Sequence, residues 1–565
     1  MARPIQSRLK ISGVLESTSP LHFGALAGGI ETDLPLYVDG QGRLCIPGTA
    51  LTGPLRDWLR QAFAQSLDDE QGAESLLGYQ REGATDELAQ GMASLIMVED
   101  APVCDEAWPE VWDGVGIDRE YGAAKDGIKF DRAILPRGTC FQFEMTVDIP
   151  PDPELIQQST DIKYAEMLKT MPTPQLIEAR VGHLLEALVR GDIRMGAAQT
   201  RGLGQIRLLK ESLSIERECW GSRAGVLQTL RRQNPKLNAG HLAQLQQSDP
   251  QQQPRLPERL TITINWQPDG PVMTKAPFDG MAVDMLPFVS RNGNSISLAL
   301  PGSGLKGALR SQAERIMRTL LGEDTARWNH AKTHLEQVDV PLVNELFGWA
   351  KPANQRKPPS KNLGRGWLEI ATCYSKNINL RPEQWEALAW AAGSNELPQP
   401  NHATPLYEQF ATAGLQNPDR TVDLPYFEQA QHVAIDRWTS AAADGFLYSA
   451  IEPFNVVWEP ITLTLTLPRQ KDDGLESDDN RTAVIALLLL TIGDLMRQQI
   501  PIGFGTGRGY GHMTVKEIKF ENSLSGQDWL LDTVHCLDDI FAECPQEFRD
   551  NWANAIQRLR KGQTC

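Results

Sequence analysis

The sequence predicts an α+β protein made of two tandem domains, each with the element order β-α-β-β-α-β. Three observations predict this fold. A Pro-Gly motif occurs twice, similar strand and helix patterns follow each copy, and 565 residues exceed what one hydrophobic core supports. The motif reads IPGTALTGPLR at 46–56 and LPGSGLKGALR at 300–310, so the copies lie 254 positions apart (300 minus 46). The chain is therefore expected to contain an internal duplication.

The elements of the first copy follow from the spacing of apolar residues. Strands are expected where apolar and polar residues alternate, as at Phe141, Phe143 and Met145, and helices where leucines recur every three or four positions. In chain order the expected elements are a strand at 7–15, a helix at 49–66, strands at 92–99 and 139–147, a helix at 174–190 and a strand at 203–210. This order is the ferredoxin-like (RRM-like) arrangement, here with inserted hairpins and loops.

The second copy repeats the pattern. Its expected elements are a strand at 260–266, a helix at 303–320, strands at 366–372 and 460–467, a helix at 481–498 and a strand from about 510. The domains are then 1–215, a Gln-rich connector at 216–257, a second domain at 258–525 with an insertion at about 373–430, and a helical C-terminal tail at 526–565.

Shorter repeated segments support the duplication and locate the insertion. Ile117-Asp118-Arg119 recurs as Ile435-Asp436-Arg437, a shift of 318 (436 minus 118). The glycine loop that begins at Arg201 recurs at Arg508, a shift of 307 (508 minus 201). The shifts differ from 254 because the second copy holds extra residues between its motifs.

Composition excludes several classes of protein. The net charge of −17 argues against nucleic-acid binding by the whole surface, although the stretches 195–207 and 351–365 are basic and contain no acid. A solvated basic loop is the alternative explanation of each stretch. Eight cysteines without a CxxC motif favour reduced thiols over a disulfide framework or a zinc site. No apolar run is long enough to span a membrane, so a cytoplasmic protein with no membrane partner is expected.

The Pro-Gly motifs and the glycine loops are candidate sites for an anion, with phosphate the most obvious one. A helix that begins after a Pro-Gly turn presents unpaired backbone N–H groups, and Thr49 and Ser303 are the expected N-caps. The glycine loops lack GxGxxG and lie between a helix and a following strand, which excludes a Rossmann site. The candidate contacts are Gly48, Thr49, Arg56, Arg201, Gly202, Gly204, Gly302, Ser303, Lys306, Arg310, Arg508, Gly509 and Gly511.

These segments, together with GIDREYGAAKDG at 116–127, resemble the RAMP superfamily, specifically the backbone subunit of type III CRISPR effector complexes. The two copies resemble a tandem fusion of such subunits, as in type III-D complexes. The resemblance implies partners: a guide RNA, a complementary single-stranded target RNA and other subunits of the complex. It also implies a β-hairpin that wedges into the guide–target duplex, which we place near 118–127 and 436–445.

The resemblance further implies a metal-dependent endoribonuclease that acts within the assembled complex. The family's catalytic aspartate lies in the loop before the Pro-Gly turn, where this chain has Asp33 and Asp284. The two are 14 and 17 positions before the turn (47 minus 33 and 301 minus 284), and Asp279 is a rival in the second copy. Each aspartate could bind a divalent cation, Mg²⁺ or Mn²⁺, or orient a 2′-hydroxyl.

Two alternatives remain open. The chain could be an architectural RNA-binding subunit in which one or both aspartates are inert. It could also be a nuclease that processes CRISPR precursor RNA, with His22 or His512 as general base. Metal-independent cleavage by the isolated chain would distinguish this last function from the others.

Overall fold

A computed structural model of the chain describes residues 5–25, 32–63, 76–80, 91–152, 171–277, 283–322, 334–349, 364–376, 378, 380–389, 425–468 and 476–562. The chain divides into two compact units. Unit 1 comprises Met1–Pro109, Ala133–Gln199 and Gly204–Pro257, and unit 2 comprises Glu110–Arg132, Thr200–Leu203 and Glu258–Cys565. Helices and antiparallel sheets occur in both, which confirms a mixed α and β protein.

The elements up to residue 257 are strands β1 (Ser7–Ser17), β2 (Cys45–Ile46), β3 (Tyr79–Gln80), β4 (Gly91–Met92), β5 (Ile96–Val98), β6 (Ala101–Pro102), β7 (Glu110–Ile117), β8 (Ala124–Ile134), β9 (Cys140–Ile149), β10 (Ile206–Leu208), β11 (Ser214–Cys219) and β12 (Lys236–Asn238). The helices among them are α1 (Gly48–Phe63), α2 (Pro174–Arg190), α3 (Arg223–Leu230) and α4 (Leu242–Gln246).

The elements after residue 257 are strands β13 (Arg259–Pro268), β14 (Val289–Asn292), β15 (Ser295–Leu300), β16 (Leu368–Ile370), β17 (Cys373–Tyr374), β18 (Tyr426–Ile435), β19 (Ala442–Phe454), β20 (Ile461–Thr466), β21 (Met513–Asn522) and β22 (Thr533–Val534). The helices are α5 (Gly302–Leu321), α6 (His334–Gln337), α7 (Val343–Phe347), α8 (Pro382–Ala389), α9 (Glu476–Met496), α10 (Leu537–Ala542) and α11 (Gln546–Gly562). In the described part of the chain, no helix is long and apolar enough to cross a membrane.

The main sheet of unit 1 has the order β12-β11-β1-β9-β5, and every neighbouring pair is antiparallel. Alternation places Leu9, Ile11 and Leu15 of β1 in the core, where they meet the leucines of α1 and α2. Residues 216–257, predicted as a connector, belong to this unit. Strand β11 pairs with β1, and Leu242 and Leu245 of α4 are buried in the same core.

The main sheet of unit 2 has the order β16-β20-β13-β21-β22, again antiparallel throughout. Leu260, Ile262 and Ile264 of β13 are fully buried, as the alternating sequence predicts. Helices α5 and α9 contribute their apolar faces to the core. The tail, predicted to be helical, forms α10 and α11, whose apolar side chains belong to the same core.

Two long hairpins are formed by segments that lie, in chain order, between strands of the main sheets. The first hairpin is β7 with β8, and the second hairpin is β18 with β19, which pair antiparallel. They contain residues 118–127 and 436–445, near which the resemblance implies a hairpin. Within the predicted insertion at 373–430, the described residues include β17, α8 and the start of β18.

Candidate functional site

The helices α1 and α5 begin directly at the Pro-Gly turns. The prediction that Thr49 and Ser303 are the N-caps is wrong, since the helices start at Gly48 and Gly302 and Pro301 is the N-cap of α5. The first amide is satisfied by a residue distant in sequence. Gly48 N donates to Asp100 Oδ1 (2.7 Å) and Gly302 N to Thr372 Oγ1 (3.3 Å).

The two helix starts therefore differ in charge. A carboxylate accepts from the first amide of α1, and a neutral hydroxyl accepts from that of α5. Because an anion at a helix N-terminus competes with any other anion, α5 offers the better phosphate site of the two. Thr49 and Ser303 are both exposed in the first turn of their helices, where the side chains face solvent.

Two arginines of the predicted site hold a turn inside the protein. Arg56 donates to the carbonyl oxygens of Leu77 and Gly78 (2.7 and 3.2 Å). Arg310, at the equivalent position, donates to the carbonyl oxygen of Gly348 (2.7 Å). The motif thus carries an arginine because the following Leu-Gly or Phe-Gly turn needs a donor. An RNA contact by either arginine remains a prediction.

Lys306 lies one turn into α5 and is almost fully buried, with 6% of its surface exposed. Its Nζ donates to the carbonyl oxygens of Leu368 (2.9 Å) and Thr200 (3.2 Å), and no carboxylate pairs with it in the described residues. Burial, and then the charges of nearby arginines, lower the pKa of Lys306 to about 7. When it is protonated, Lys306 is therefore a buried cation that, among the described residues, only carbonyl oxygens stabilise.

Three arginines lie close enough to Lys306 to affect its charge, and a fourth, Arg132, lies near one of them; we call these five residues the lysine cluster. Arg201, Arg310 and Arg365 act electrostatically on Lys306, and Arg201 acts on Arg132. Burial is the main cause that lowers the pKa of Arg132. The structure thus brings together Arg201, Lys306 and Arg310 from the predicted contacts, while Arg132 was not predicted. Gly202, beside Arg201, packs against Thr372.

Gly204 and Gly511 fix the two glycine loops. Both have a positive φ (93° and 82°), and a Cβ at either position would lie 2.4 or 2.2 Å from the carbonyl oxygen of Met195 or Ile502. These two glycines are required by close backbone packing. Gly509 also has a positive φ, 88°, with open space around it, so its amide face remains accessible.

Arg508 of the second glycine loop lies against aromatic rings at the second hairpin. Its guanidinium is 5.2 Å from the ring centre of Tyr448 and 5.0 Å from that of Phe504. Arg508 is exposed, so the guanidinium is held by cation–π contacts while its edge stays open to solvent. Arg508 is therefore a preformed cationic site separate from the residues that act on Lys306.

A polar group that the sequence did not reveal lies beside Arg508. His432 Nε2 is 2.9 Å from Glu452 Oε1, Tyr510 donates its hydroxyl to the same carboxylate, and the imidazole stacks on Tyr448. Burial and the bond to Glu452 raise the pKa of Tyr510. Subtracting the shifts of 318 and 307 shows that His432, Glu452 and Tyr510 correspond to Gly114, Ile134 and Leu203 in the first copy. The first copy therefore lacks this polar group. The unmatched Tyr510 of RGYG was its only sequence signal.

The predicted catalytic aspartates occupy equivalent places at the bases of the two hairpins. The residue after Asp33, Leu34, accepts from Ala133 N (3.0 Å), and the residue after Asp284, Met285, accepts from Ile451 N (3.0 Å). Ala133 and Ile451 differ by 318 (451 minus 133), which is the hairpin shift. Both aspartates are exposed. This match supports Asp284 as the counterpart of Asp33, and its rival Asp279 lies outside the described residues.

Asp284 has a local structural role that is visible in its contacts. Its Oδ2 accepts from Ser449 N (2.8 Å) and from Ser449 Oγ (3.2 Å), so the carboxylate fastens the base of the second hairpin. In the described part of the chain no group of three or more His, Cys, Asp or Glu could hold a metal ion. Each aspartate therefore offers a single carboxylate.

The histidines proposed as general bases lie in different surroundings. His22 is buried, with Nδ1 at 2.7 Å from the carbonyl oxygen of Ala133. His512 is exposed at the end of the second glycine loop. The burial of His22 is that of a packing residue, which makes it a poor base for an RNA substrate.

The fold and these sites define a duplicated α+β protein whose copies each combine a Pro-Gly helix start, a glycine loop and a long hairpin. The family model of the RAMP superfamily matches residues 14–207 and 291–514. The chain therefore belongs to the RAMP superfamily, with one match in each copy. This family is associated with type III CRISPR complexes and RNA binding. No curated protein matches the chain.

Proposed function

We propose that the chain is a backbone subunit of a type III CRISPR ribonucleoprotein, formed by two ferredoxin-like RAMP domains as in type III-D complexes. It holds a guide RNA, binds the complementary target RNA, and cleaves the target at up to two positions, one per domain. The observation that carries the proposal is the lysine cluster beside the first glycine loop. Four arginines and the buried Lys306 gather there in a chain whose net charge is −17.

The lysine cluster suits the sugar-phosphate backbone of RNA. Arg201 is exposed, and the N-terminus of α5 lies directly beside it, because a Cβ at Gly302 would be 2.7 Å from the carbonyl oxygen of Arg201. A phosphate there would meet a helix N-terminus and several positive charges. Contacts of this kind read charge and shape, and base pairing with the guide supplies sequence specificity.

The aspartates at the hairpin bases are the proposed catalytic residues. In the proposed reaction the target's 2′-oxygen attacks the adjacent phosphorus, and the bond from phosphorus to the 5′-oxygen breaks. Asp33 or Asp284 takes the hydroxyl proton, and water protonates the leaving 5′-oxygen. The products are a 2′,3′-cyclic phosphate and a 5′-hydroxyl. The backbone pairs beside the aspartates, Leu34 with Ala133 and Met285 with Ile451, would provide the rigid surface that holds the RNA backbone in line for attack.

The divalent cation, Mg²⁺ or Mn²⁺, is part of the same proposal. One carboxylate per site is too few ligands to bind a metal ion by protein groups alone. Mg²⁺, however, is commonly held by one or two carboxylates together with phosphate oxygens. Asp33 and Asp284 fit that donor set once RNA supplies the remaining oxygens. The cation would neutralise charge on the reacting phosphate.

The test uses the reconstituted complex with a guide-complementary RNA labelled at one end. Asp33→Ala should remove one cut and Asp284→Ala another, each lowering cleavage at its position by about 100-fold or more. Asp528→Ala, at an exposed aspartate of the C-terminal region, is the matched aspartate control and should leave both cuts in place. Cleavage that persists at both positions in the double variant would show that other residues perform the reaction.

A second candidate function is purely architectural RNA binding in the second domain. The bonds from Ser449 to Asp284 favour it, because a carboxylate engaged in a structural contact is less able to accept a proton. In that case Asp284→Ala would loosen the second hairpin without removing a cut. Cleavage of precursor RNA by the isolated chain without metal would instead support a processing nuclease.

A further inference from the structure

Two cysteines lie opposite each other where the chain enters and leaves the first hairpin. Cys104 comes six positions before β7 begins (110 minus 104), and Cys140 comes six positions after β8 ends (140 minus 134). Val103 and Phe141 form an antiparallel bridge, and Cys104 N donates to the carbonyl oxygen of Cys140 (2.9 Å). The two cysteines are therefore a directly opposed cross-strand pair, whose side chains extend from the same face.

The geometry of such a pair suits a disulfide bond. Opposed residues of an antiparallel pair of strands have Cα atoms about 4.5 to 5.5 Å apart, and disulfides join residues whose Cα atoms are about 4.4 to 6.8 Å apart. Cys104 and Cys140 are free thiols, and both residues are partly exposed. A small oxidant can therefore reach the two thiols, and little backbone movement is needed to join them.

The surroundings of the two thiols control how fast they react. Burial, and then the charge of Asp105, raises the pKa of Cys104. Burial, and then the charges of Glu16 and Cys104, raises the pKa of Cys140, and the effect of Cys104 is the one expected of a neighbouring thiol. Because the thiolate is the nucleophile in thiol–disulfide exchange, the pair reacts slowly near neutral pH. The position of the equilibrium depends on the reduction potential and not on this rate.

A bond between these cysteines closes a loop that contains the whole first hairpin. Arg119 Nε of the hairpin donates to Glu314 Oε2 of α5 (2.7 Å), a contact within unit 2. Cys104 and Cys140 belong to unit 1, because the chain leaves that unit after Pro109 and returns to it at Ala133. The two cysteines thus lie on the two segments that connect the hairpin to unit 1.

The second copy has other residues at this place. The counterpart of Cys140 is Trp458, at the hairpin shift of 318 (458 minus 140), and Trp458 forms an antiparallel bridge with Ser375. A serine and a tryptophan cannot form a disulfide. The second hairpin is therefore an internal control for any effect of oxidation on the first.

We infer that Cys104 and Cys140 form a redox-sensitive disulfide that fixes the base of the first hairpin. The oxidant is a low-molecular-weight disulfide such as glutathione disulfide. The thiolate of either cysteine attacks one sulfur of this reagent, a mixed disulfide forms, and one glutathione leaves as a thiol. The other cysteine then attacks the protein sulfur of the mixed disulfide and releases the second glutathione. The protein loses two electrons and two protons, and the reagent gains them.

The inference goes beyond the proposed function, because it needs neither RNA nor a catalytic aspartate. Disulfides inside cells are usually transient and redox-sensing, which agrees with a pair that is free in one state and joined in the other. A failure of this inference leaves the proposed cleavage reaction untouched, and the reverse is also true.

The first experiment tests whether the bond forms in the full-length chain. The reduced protein is incubated with glutathione disulfide until its composition no longer changes, the remaining thiols are blocked, and the protein is digested with trypsin without reduction. Peptides 82–119 and 138–163 each contain one cysteine and should appear joined, about 2 Da lighter than the sum of the two, because two hydrogens are lost. Cys140→Ser should lose the joined peptide and carry glutathione on Cys104. The control Cys536→Ser, at an exposed cysteine, should keep it.

Two outcomes of this experiment would overturn the inference. Separate glutathione adducts on Cys104 and Cys140 at equilibrium, without the joined peptide, would show that the two sulfurs cannot meet. A bond from either cysteine to a different cysteine, in the same chain or in a second copy, would show that the pair is not the preferred one.

The second experiment measures the effect of the bond on the hairpin by hydrogen exchange. Amides of residues 110–134 should exchange about tenfold more slowly in the oxidised wild type than in the reduced wild type, because the closed base restricts local opening. Cys140→Ser after the same oxidation should exchange as the reduced wild type does, and the second hairpin, 426–454, should be the same in both states. Equal exchange of residues 110–134 in the two states would show that the bond does not fix the hairpin.

Discussion

Replacing Lys306 by methionine should change how the stability of unit 2 depends on pH. The folded protein holds this lysine with a pKa of about 7, whereas the unfolded chain restores a pKa of about 10.5. Between these values the unfolded state binds more protons than the folded state. Stability therefore rises with pH across this window, and Lys306 destabilises the fold most strongly below pH 7. Methionine keeps the apolar stem and removes the proton-binding group.

The magnitude follows from the two pKa values. Charging Lys306 in the folded protein costs about 5 kcal/mol relative to the unfolded chain, at 1.36 kcal/mol per pKa unit. From pH 7 to pH 9, folded Lys306 goes from half protonated to almost neutral. Over this range it should contribute about 2 kcal/mol to the increase in the free energy of unfolding.

The assay is urea denaturation at pH 7 and pH 9, followed by tryptophan fluorescence. The measured quantity is the change in unfolding free energy between the two pH values, compared between wild type and Lys306→Met. All other titrating groups cancel in this comparison, and Lys516→Met, at an exposed lysine, should behave as wild type. An identical pH dependence in wild type and Lys306→Met would refute the assignment of a buried, uncompensated charge.

Two further predictions concern the same surfaces. Gly302→Ala should destabilise unit 2 by about 1 to 3 kcal/mol, because the added Cβ would lie 2.3 Å from the carbonyl oxygen of Ile370. Gly304 has open space around it, so Gly304→Ala should stabilise α5 by about 0.5 to 1 kcal/mol. Denaturation measures both, and equal effects would contradict the packing argument. Arg201→Ala and Arg508→Ala should each reduce the slope of log affinity for single-stranded RNA against log salt by about 0.7, measured by fluorescence anisotropy. An unchanged slope would remove that arginine from the phosphate contacts.

The sequence predicted the duplication and most helices and strands because both rest on local periodicity. The helix expected at 174–190 is α2, Pro174–Arg190, and Thr173 caps it with its side chain as such a start requires. The N-caps of the Pro-Gly helices were missed for a physical reason. Asp100 and Thr372 satisfy those amides from short links between strands that are distant in sequence, and no local pattern encodes such a contact.

The candidate site was predicted by residue type but not by environment. Arg56 and Arg310 are cations in a repeated motif, yet their hydrogen bonds go to backbone carbonyl groups, which the motif alone cannot indicate. The burial of Lys306 and its pairing with carbonyl oxygens likewise depend on tertiary structure. Asp284 could be matched to Asp33 from the sequence because Met-Leu-Pro follows Asp284 much as Leu-Pro follows Asp33, whereas its hydrogen bonds from Ser449 could not be predicted.

The discontinuous make-up of unit 2 has a consequence for synthesis on the ribosome. Its first segment, Glu110–Arg132, is translated well before α5, since Gly302 follows Arg132 by 170 positions (302 minus 132). At about 5 to 20 residues per second this interval lasts roughly 10 to 30 s. During that time Arg119 has no Glu314 to bind, and the apolar residues of the first hairpin face solvent. The first hairpin can therefore pack against α5 only after this delay, and until then its exposed apolar residues can bind a chaperone or another chain.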